Sequence, residues 1–286
     1  MRPSAARTQL PPHTYFLVSA VFHYLGPAFA VLLFARVDPL GVAWLRIVGA
    51  AAVFAIWRAP WRAFVGLSPA GRRTLVLLGI TLAAMNVCFY LAIARLPLAT
   101  VGAMEFLGPV ALAAAGARNR RNLAALLLVV AGVAALTDVR LEAEPIGLAF
   151  SFANCALFTC YIVLGHRVAQ DGAAEGVDRL GTAMLVASVA VAPVGLADAA
   201  PAFVHPALLG AGLGVAVCSS VIPYVCDQLA MARLPRATFA LLMALLPATA
   251  TVIGAVVLRQ IPSPAEIAGI GLVAAAIAVH RDQRRK

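Results

Sequence analysis

Charged residues are scarce in this sequence. They make up 12% of its 286 residues, whereas about 25% is typical of soluble domains. Hydrophobic residues account for 63%, and no polar stretch is long enough to form a separate soluble domain. A soluble chain of this length has no way to hide so much apolar surface. The composition therefore excludes a soluble globular protein and places most of the chain in lipid.

Catalytic and nucleotide-binding motifs are also missing. The sequence contains no GxSxG, no HExxH, no P-loop and no GxGxxG followed by an acid. These absences exclude an ATP-driven pump on this chain alone. An intramembrane enzyme would need a nucleophile with its base or a metal-binding cluster, and no such pattern is recognisable. We therefore expect a protein that is not an enzyme and that carries no cofactor.

The five cysteines and the basic residues give no sign of a metal site or of a nucleic-acid surface. All five cysteines lie inside apolar runs, without a CxxC pair or a histidine at metal spacing. The net charge is +10, but the basic residues fall in short clusters between apolar runs. A nucleic-acid-binding protein would gather them on one solvated face. We expect small packing cysteines, no metal and no nucleic-acid partner.

Long apolar runs dominate what is present, and a membrane span needs about 20 mostly apolar residues. The first run continues through Leu33, so we expect it to be a retained helix and not a cleaved signal peptide. The predicted fold is all-α and integral to the membrane. Its ten predicted spans lie at about 14–34, 40–57, 72–94, 97–117, 121–138, 146–167, 179–197, 206–231, 236–257 and 263–280.

The basic residues predict how the chain is oriented. With the N-terminus in the cytoplasm, 17 of the 22 lysines and arginines fall on the cytoplasmic side, four fall on the opposite side, and Arg46 lies within a span. Such a bias follows the positive-inside rule. We expect a multi-pass protein of the bacterial inner membrane with both termini in the cytoplasm.

One segment occurs twice. "VCFYLAIARLPLAT" (Val87–Thr100) and "VCDQLAMARLPRAT" (Val225–Thr238) agree at 10 of 14 positions, 138 residues apart. Each copy sits at the same place in a set of five spans, and five is odd, so the two sets cross the membrane in opposite directions. This predicts two inverted five-helix repeats, 1–142 and 143–286, an arrangement suited to alternating access. A duplicated bundle that does not transport is the alternative.

Three stretches carry a family resemblance: "LPLATVGAMEFLGPVALA" (Leu96–Ala113), "SFANCALFTCYIVLGHRVA" (Ser151–Ala169) and the run from Ile222 to Leu258. They resemble the drug/metabolite transporter superfamily, in particular its EamA-type ten-helix exporters and the threonine/homoserine exporter group. The resemblance implies an inner-membrane exporter of amino acids or related metabolites, driven by protons. Many members carry Gly-Glu after the ninth span, where this chain has Arg259–Gln260.

Glu105 is the strongest candidate site residue, because an ionisable group within a span is costly unless it serves a function. Its helical neighbours Gly102, Gly108 and Pro109 are small or helix-disrupting, which predicts a hollow beside the carboxylate. There Glu105 could exchange a proton or pair with a substrate amine. A structural ion pair with Arg46 is the alternative.

The remaining candidates are polar residues that share helix faces with aromatic residues, a combination suited to a zwitterionic ligand. Asp227 replaces Phe89 of the first copy and could act as a gate near the cytoplasmic end or contact the substrate. For the asparagines, interhelical hydrogen bonds are the alternative, and for the histidine, simple packing. The full set of candidates is Glu105, Asn86, Tyr90, Asn154, Tyr161, His23, Asp227 and Arg46.

These observations predict a secondary transporter that exports threonine- or homoserine-like small amino acids in exchange for protons. Aromatic amino acids and purine- or drug-like metabolites are the alternative substrates. A membrane-embedded enzyme or a scaffold without transport is the alternative from another class. The expected partners are a small-molecule substrate, protons and the lipid bilayer, and the chain is expected to act as a monomer or homodimer.

Overall fold

A computed structural model describes residues 11–105, 107–108, 111–112, 120–138, 144–169, 173–234, 239 and 246–279. Within these ranges the chain forms helices and no strand. The helices are α1 (Pro12–Leu33), α2 (Pro39–Arg58), α3 (Trp61–Val65), α4 (Pro69–Ile93), α5 (Leu98–Glu105), α6 (Arg120–Asp138), α7 (Pro145–Ala169), α8 (Ala173–Gly195), α9 (Ala200–Phe203), α10 (Pro206–Ala216), a π-helical segment (Val217–Val221), α11 (Ile222–Met231), α12 (Leu246–Leu258) and α13 (Pro264–Val279).

Proline determines where many of these helices begin. The first amide groups of a helix have no intrahelical acceptor, so a residue without an N–H is tolerated there and its fixed φ suits the first turn. The prolines that begin helices are Pro12, Pro39, Pro69, Pro145, Pro206 and Pro264. These prolines thus mark the first residues of helices along the chain.

Within the described ranges, six helical segments are long and apolar enough to cross a membrane: Thr14–Leu33, Pro39–Arg58, Pro69–Ile93, Pro145–Ala169, Glu175–Gly195 and Pro206–Met231. Shorter apolar helices lie at Leu123–Gly132, Thr249–Leu258 and Ile267–Ala276. The predicted spans 97–117 and 236–257 fall partly outside the described residues. The all-helical membrane class is therefore confirmed, whereas the ten-helix inverted repeat and its division at 142/143 stay predictions.

The bundle is apolar outside and encloses a small group of polar residues within an apolar core. Large apolar residues such as Ile56, Val189 and Val256 are more than half exposed, as expected where lipid and not water surrounds the protein. The buried set includes Arg46, Glu105 and Asp227. Ionisable side chains inside a membrane bundle usually face its interior and mark functional sites.

The two copies of the repeated segment end their helices with the same turn. In the first copy Ala94 N donates to Tyr90 O, and Leu96 N donates to Ala92 O. In the second copy Ala232 N donates to Gln228 O, and Leu234 N donates to Ala230 O. Every donor and acceptor of the second set lies 138 residues after its counterpart in the first. The duplicated sequence therefore builds a duplicated helix end.

The helix before each turn differs between the copies by one residue. The span Pro69–Ile93 has 25 residues, whereas Pro206–Met231 has 26. The longer helix contains the π-helical segment Val217–Val221, and Ile222 N donates to Val217 O, five residues back. A π-bulge holds one extra residue in a helix without ending it and often occurs at functional sites. The extra residue of the longer helix is thus accommodated by the π-helical segment, next to the buried polar residues.

Arg259 and Gln260 occupy the place where the resemblance leads us to expect Gly-Glu. Arg259 has φ = 55°, in the left-handed region that favours glycine. The Gln260 Oε1 accepts a hydrogen bond from Leu98 N at 3.1 Å, which caps the first turn of α5. A glutamate oxygen would accept the same bond and would also favour the positive end of the helix dipole. The structure thus gives both positions a backbone role.

We expect Arg259→Gly to raise the free energy of unfolding by about 1 kcal/mol, because glycine adopts this backbone conformation without steric cost. Ala59→Gly should act in the same direction, because Ala59 ends α2 with φ = 45°. Ala94→Gly is the control, since Ala94 ends α4 in the right-handed region. Thermal unfolding in detergent measures all three. An Arg259→Gly change as destabilising as Ala94→Gly would contradict this account of the backbone.

Candidate functional site

A small closed cavity lies in the polar interior of the bundle. The space at its centre is about 10 Å³, room for about one water molecule, whereas ligand pockets typically hold about 300–1,000 Å³. The bundle must therefore open before a substrate can enter. The residues that line the cavity are His23, Pro27, Arg46, Met85, Asn86, Phe89, Glu105, Asn154 and Tyr224.

Glu105 is held in this cavity by two neutral donors. Tyr24 of α1 donates its hydroxyl to Oε2 at 2.9 Å, and Asn154 of α7 donates its Nδ2 to Oε1 at 2.8 Å. Among the described residues, no lysine or arginine nitrogen lies within 4.0 Å of the carboxylate. The ion pair with Arg46 that the sequence left open as an alternative is therefore not formed, although both side chains line the cavity.

The glycines beside Glu105 pack against neighbouring helices. A Cβ added to Gly102 would lie 2.8 Å from the Cβ of Ala250 and 3.0 Å from the Tyr24 hydroxyl. Gly108 packs against α7, where its N–H donates to Cys155 Sγ at 3.2 Å. Pro109 lies outside the described residues. The cavity beside Glu105 is therefore not lined by these glycines, because small residues in a bundle also let helices approach closely.

Arg46 of α2 points its guanidinium at neutral acceptors. Its Nε donates to Ser220 Oγ at 2.8 Å, and its Nη2 donates to Ser219 O at 2.7 Å and to the Tyr224 hydroxyl at 3.2 Å. Its Cζ also lies 5.5 Å from the centre of the Tyr90 ring, a cation–π distance. A cation buried without an acidic partner, on the wall of a cavity, suits an anionic group of a ligand.

The sequence just before the second copy of the repeated segment explains why Arg46 binds there. Pro223 has no amide hydrogen, so it cannot donate to the carbonyl of Ser219, four residues before it. That carbonyl lies within the π-helical segment, and Arg46 takes the place of the missing donor. A helix irregularity thus positions the buried cation.

Asp227 of α11 forms a second buried acid. Its side chain has no exposed surface. Ser19 donates to Oδ1 at 2.5 Å, and the Tyr161 hydroxyl donates to Oδ2 at 3.0 Å. No lysine or arginine within the described ranges forms an ion pair with it, and it is not part of the cavity wall.

The other predicted site residues lie around the same centre. His23 lines the cavity, and its ring makes edge contacts with Tyr24, Phe158 and Tyr224. Asn86 also lines it while donating to Ala43 O at 2.9 Å, so it both joins two helices and faces the cavity.

Tyr90 and Tyr161 are fully buried but lie outside the cavity wall. Of the four candidates Asn86, Tyr90, Asn154 and Tyr161, the two asparagines line the cavity, whereas the two tyrosines do not. The Tyr90 ring instead contacts the guanidinium of Arg46, and the Tyr161 hydroxyl donates to Asp227.

Five polar residues at the centre were not predicted from the sequence: Ser19, Tyr24, Ser219, Ser220 and Tyr224. Ser19 and Tyr24 are close to His23 on α1, so the helix that carried one candidate carried two more. Ser219 and Ser220 stand one turn before Pro223, and Tyr224 follows it, in the helix that leads into the second copy. Serines one turn before a proline are the sequence signal that could have identified this segment.

The described residues contain no group of three or more His, Cys, Asp and Glu side chains placed to hold a metal ion. The arrangement provides one buried cation and two buried carboxyl groups, with hydroxyl and amide donors between them. These groups can bind a small molecule that carries both charges and can hold a proton.

The fold and the site together define a helical membrane protein with an enclosed polar cavity. Comparison with known proteins identifies its family. Residues 145–280 match the model of the EamA-like transporter family. The threonine/homoserine exporter RhtA of Escherichia coli (strain K12) is 30% identical over 268 residues, covering 93% of this chain and 89% of that protein. The chain belongs to the EamA-like transporter family, as the sequence motifs indicated.

Two further similarities agree with this assignment. The threonine/homoserine exporter RhtA of Salmonella typhimurium (strain LT2) is 31% identical over 254 residues, covering 88% of this chain and 84% of that protein. One crystal structure with 20% sequence identity has a TM-score of 0.60 and covers 94% of this chain and 97% of its own. At that identity the match establishes the fold alone.

Proposed function

We propose that the protein exports small α-amino acids of the threonine and homoserine kind. One observation carries the proposal: Glu105 and Arg46 line the same closed cavity, and neither is neutralised by an ion pair with the other. An α-amino acid has an ammonium group for the carboxylate of Glu105 and a carboxylate for the guanidinium of Arg46. The names of the two bacterial relatives support the same substrate class.

Each end of such a substrate meets preorganised groups. Tyr24 and Asn154 fix the Glu105 carboxylate, while Ser219 and Ser220 fix the guanidinium. Because these donors and acceptors are neutral, they position the charged groups without cancelling their charge. A hydroxyl group on the side chain of the substrate could form hydrogen bonds with the amides of Asn86 and Asn154, which line the same cavity.

Export requires the cavity to open to one side and then to the other. We propose that the two copies of the repeated segment belong to inverted five-helix halves that exchange conformations. The matching turns after α4 and α11 support this. The 17-to-4 distribution of basic residues supports a bacterial inner-membrane protein with both termini in the cytoplasm. A reporter fused after Lys286 that is active only in the periplasm would contradict this orientation.

Proton antiport is the proposed driving force, because the interior holds carboxyl groups that are not ion-paired within the described residues. A proton moving into the cell would then accompany each amino acid moving out.

The test is efflux from proteoliposomes made with the purified protein. Vesicles loaded with radiolabelled threonine or homoserine, with an imposed pH gradient, should release label faster than protein-free vesicles. Phenylalanine and adenine test the aromatic and purine alternatives. Release of no compound in the panel would contradict the proposed function and favour a non-transporting scaffold.

A further inference from the structure

We infer that Asp227 is the proton-binding residue of the exporter, in a site separate from the cavity that binds the amino acid. This inference rests on the proposed exchange of substrate for protons. Asp227 is enclosed completely, bonded to Ser19 and Tyr161, and absent from the cavity wall. A group in this position can hold a proton while the amino acid occupies the cavity.

The charge balance of the interior requires one more positive charge. The buried residues of the described part include one guanidinium, Arg46, and two carboxyl groups, Glu105 and Asp227. With neutral histidines, both carboxylates ionised would leave one negative charge unbalanced in the membrane, which is costly. A zwitterionic amino acid brings no net charge, so it cannot supply the balance. One bound proton can.

The two carboxyl groups accept from donors at different positions along the helices that hold them. On α1 the donors Ser19 and Tyr24 are five residues apart, roughly 7.5 Å along the axis. On α7 the donors Asn154 and Tyr161 are seven residues apart, roughly 10.5 Å along the axis. Each acid thus has its own pair of donors, and within the described residues no hydrogen bond joins the two acids, so they form two sites.

The same two helices connect the sites. Helices α1 and α7 each supply one donor to Glu105 and one to Asp227. A movement of either helix that opens the cavity must change the hydrogen bonds of both acids. The ring of Tyr161 also lies 5.3 Å from the ring of Tyr224, which lines the cavity and bonds to Arg46. Occupancy of one site thus affects the other.

The proton step exchanges one O–H bond for another. With the bundle open to the periplasm, a carboxylate oxygen of Asp227 takes a proton from hydronium, so an O–H bond of hydronium breaks, water is left and the carboxyl O–H bond forms. With the bundle open to the cytoplasm, the carboxyl O–H bond breaks and the proton passes to a water molecule, which becomes hydronium. The hydroxyls of Ser19 and Tyr161 can donate to the carboxylate, and a hydroxyl oxygen can accept from the neutral acid. Both states of Asp227 therefore find partners.

Other ionisable residues lie on the elements packed against α11. Tyr161, Tyr224 and Cys226 interact electrostatically with Asp227. Asp178 is paired with Arg58, the His166 ring bonds to Leu234 O, and Arg179 donates to Val168 O. The ionisable residues of α1, α7, α8, the π-helical segment and α11 in the described part are His13, Tyr15, His23, Tyr24, Cys155, Cys160, Tyr161, His166, Arg167, Glu175, Asp178, Arg179, Cys218, Tyr224, Cys226 and Asp227.

Two assays on Asp227→Asn in proteoliposomes test the inference. The first measures efflux driven by a pH gradient. The second measures exchange of labelled for unlabelled threonine without a gradient, a process that needs no net proton transfer. Asp227→Asn should lose the gradient-driven rate by roughly 5- to 150-fold, the usual range for coupling between sites, while exchange persists. Glu105→Gln should lose both rates. Glu175→Gln, the same kind of change at an exposed position in the first turn of α8, is the control and should leave both rates unchanged.

Two results would overturn the inference: gradient-driven efflux by Asp227→Asn at the wild-type rate, or loss of exchange in a variant that unfolds at the wild-type temperature. If the wild type transports no amino acid, the proposed function fails. Infrared spectroscopy then tests separately whether Asp227 binds a proton. A carboxyl C=O band that titrates with pH should disappear in Asp227→Asn and remain in Glu105→Gln. A band that remains in Asp227→Asn would reject the site.

Discussion

Glu105→Gln should leave the protein folded and abolish amino-acid export. Glutamine keeps the shape of the side chain, and its amide can still bond to Tyr24 and Asn154, which are neutral partners. What it loses is the negative charge for the substrate ammonium group. Removing one partner of a buried, hydrogen-bonded charge pair costs about 2–5 kcal/mol, so threonine should bind at least ~30-fold more weakly. Calorimetric titration and efflux measure the loss.

The control is Glu175→Gln, the same chemical change at an exposed position in the first turn of α8, which should leave export unchanged. The double variant Arg46→Met, Glu105→Gln separates the two roles considered for Glu105. If the acid served only to neutralise Arg46, the double variant would regain export. Because no such pair is formed, we expect it to remain inactive, and recovery would contradict the substrate role.

Arg46→Met should lose both export and stability. Methionine cannot bond to Ser219 O, Ser220 Oγ or the Tyr224 hydroxyl, and a buried acceptor without a donor costs about 1–3 kcal/mol. The variant should therefore unfold at a lower temperature. Arg46→Lys should recover part of the stability but little of the binding, because a lysine ammonium lacks the planar pair of donors that matches a carboxylate. Thermal unfolding and threonine binding are the two measurements.

Arg58→Met is the matched control for Arg46→Met. Arg58 also bonds to a partner on another helix, Asp178 at 2.5 Å, but both side chains are about 30% exposed. An exposed ion pair contributes only about 0–1 kcal/mol, so the stability loss should be much smaller than for Arg46→Met. An Arg46→Met variant with wild-type stability and export would contradict the role of the cation.

Much of the candidate site was predictable because the cost of burying polar groups in lipid is visible in the sequence. Glu105, Arg46 and Asp227 interrupt apolar runs, and the structure buries all three. The asparagines on the faces of α4 and α7 followed from helical periodicity, and both line the cavity. Prolines stand at the first position of many of the helices, where a residue without an N–H is tolerated.

What the sequence could not provide was which helix meets which. Tyr24 bonds to Glu105 across 81 positions, and Ser19 bonds to Asp227 across 208. Periodicity shows which face of a helix is polar but not the partner of that face. A pair of Arg46 with Glu105 was therefore left open as an alternative, whereas two of the acceptors of Arg46 lie on the π-helical segment. Small residues beside Glu105 indicated space, whereas neighbouring helices pack against the glycines.

The central claim is that one cavity recognises both charged ends of an amino acid, and binding of matched analogues to the purified protein tests it most directly. Threonine can be compared with its decarboxylated amine and with its deaminated hydroxy acid by calorimetric titration. The claim predicts that each analogue binds at least ~30-fold more weakly than threonine, because each leaves Arg46 or Glu105 without its partner. Equal binding of threonine and either analogue would contradict it.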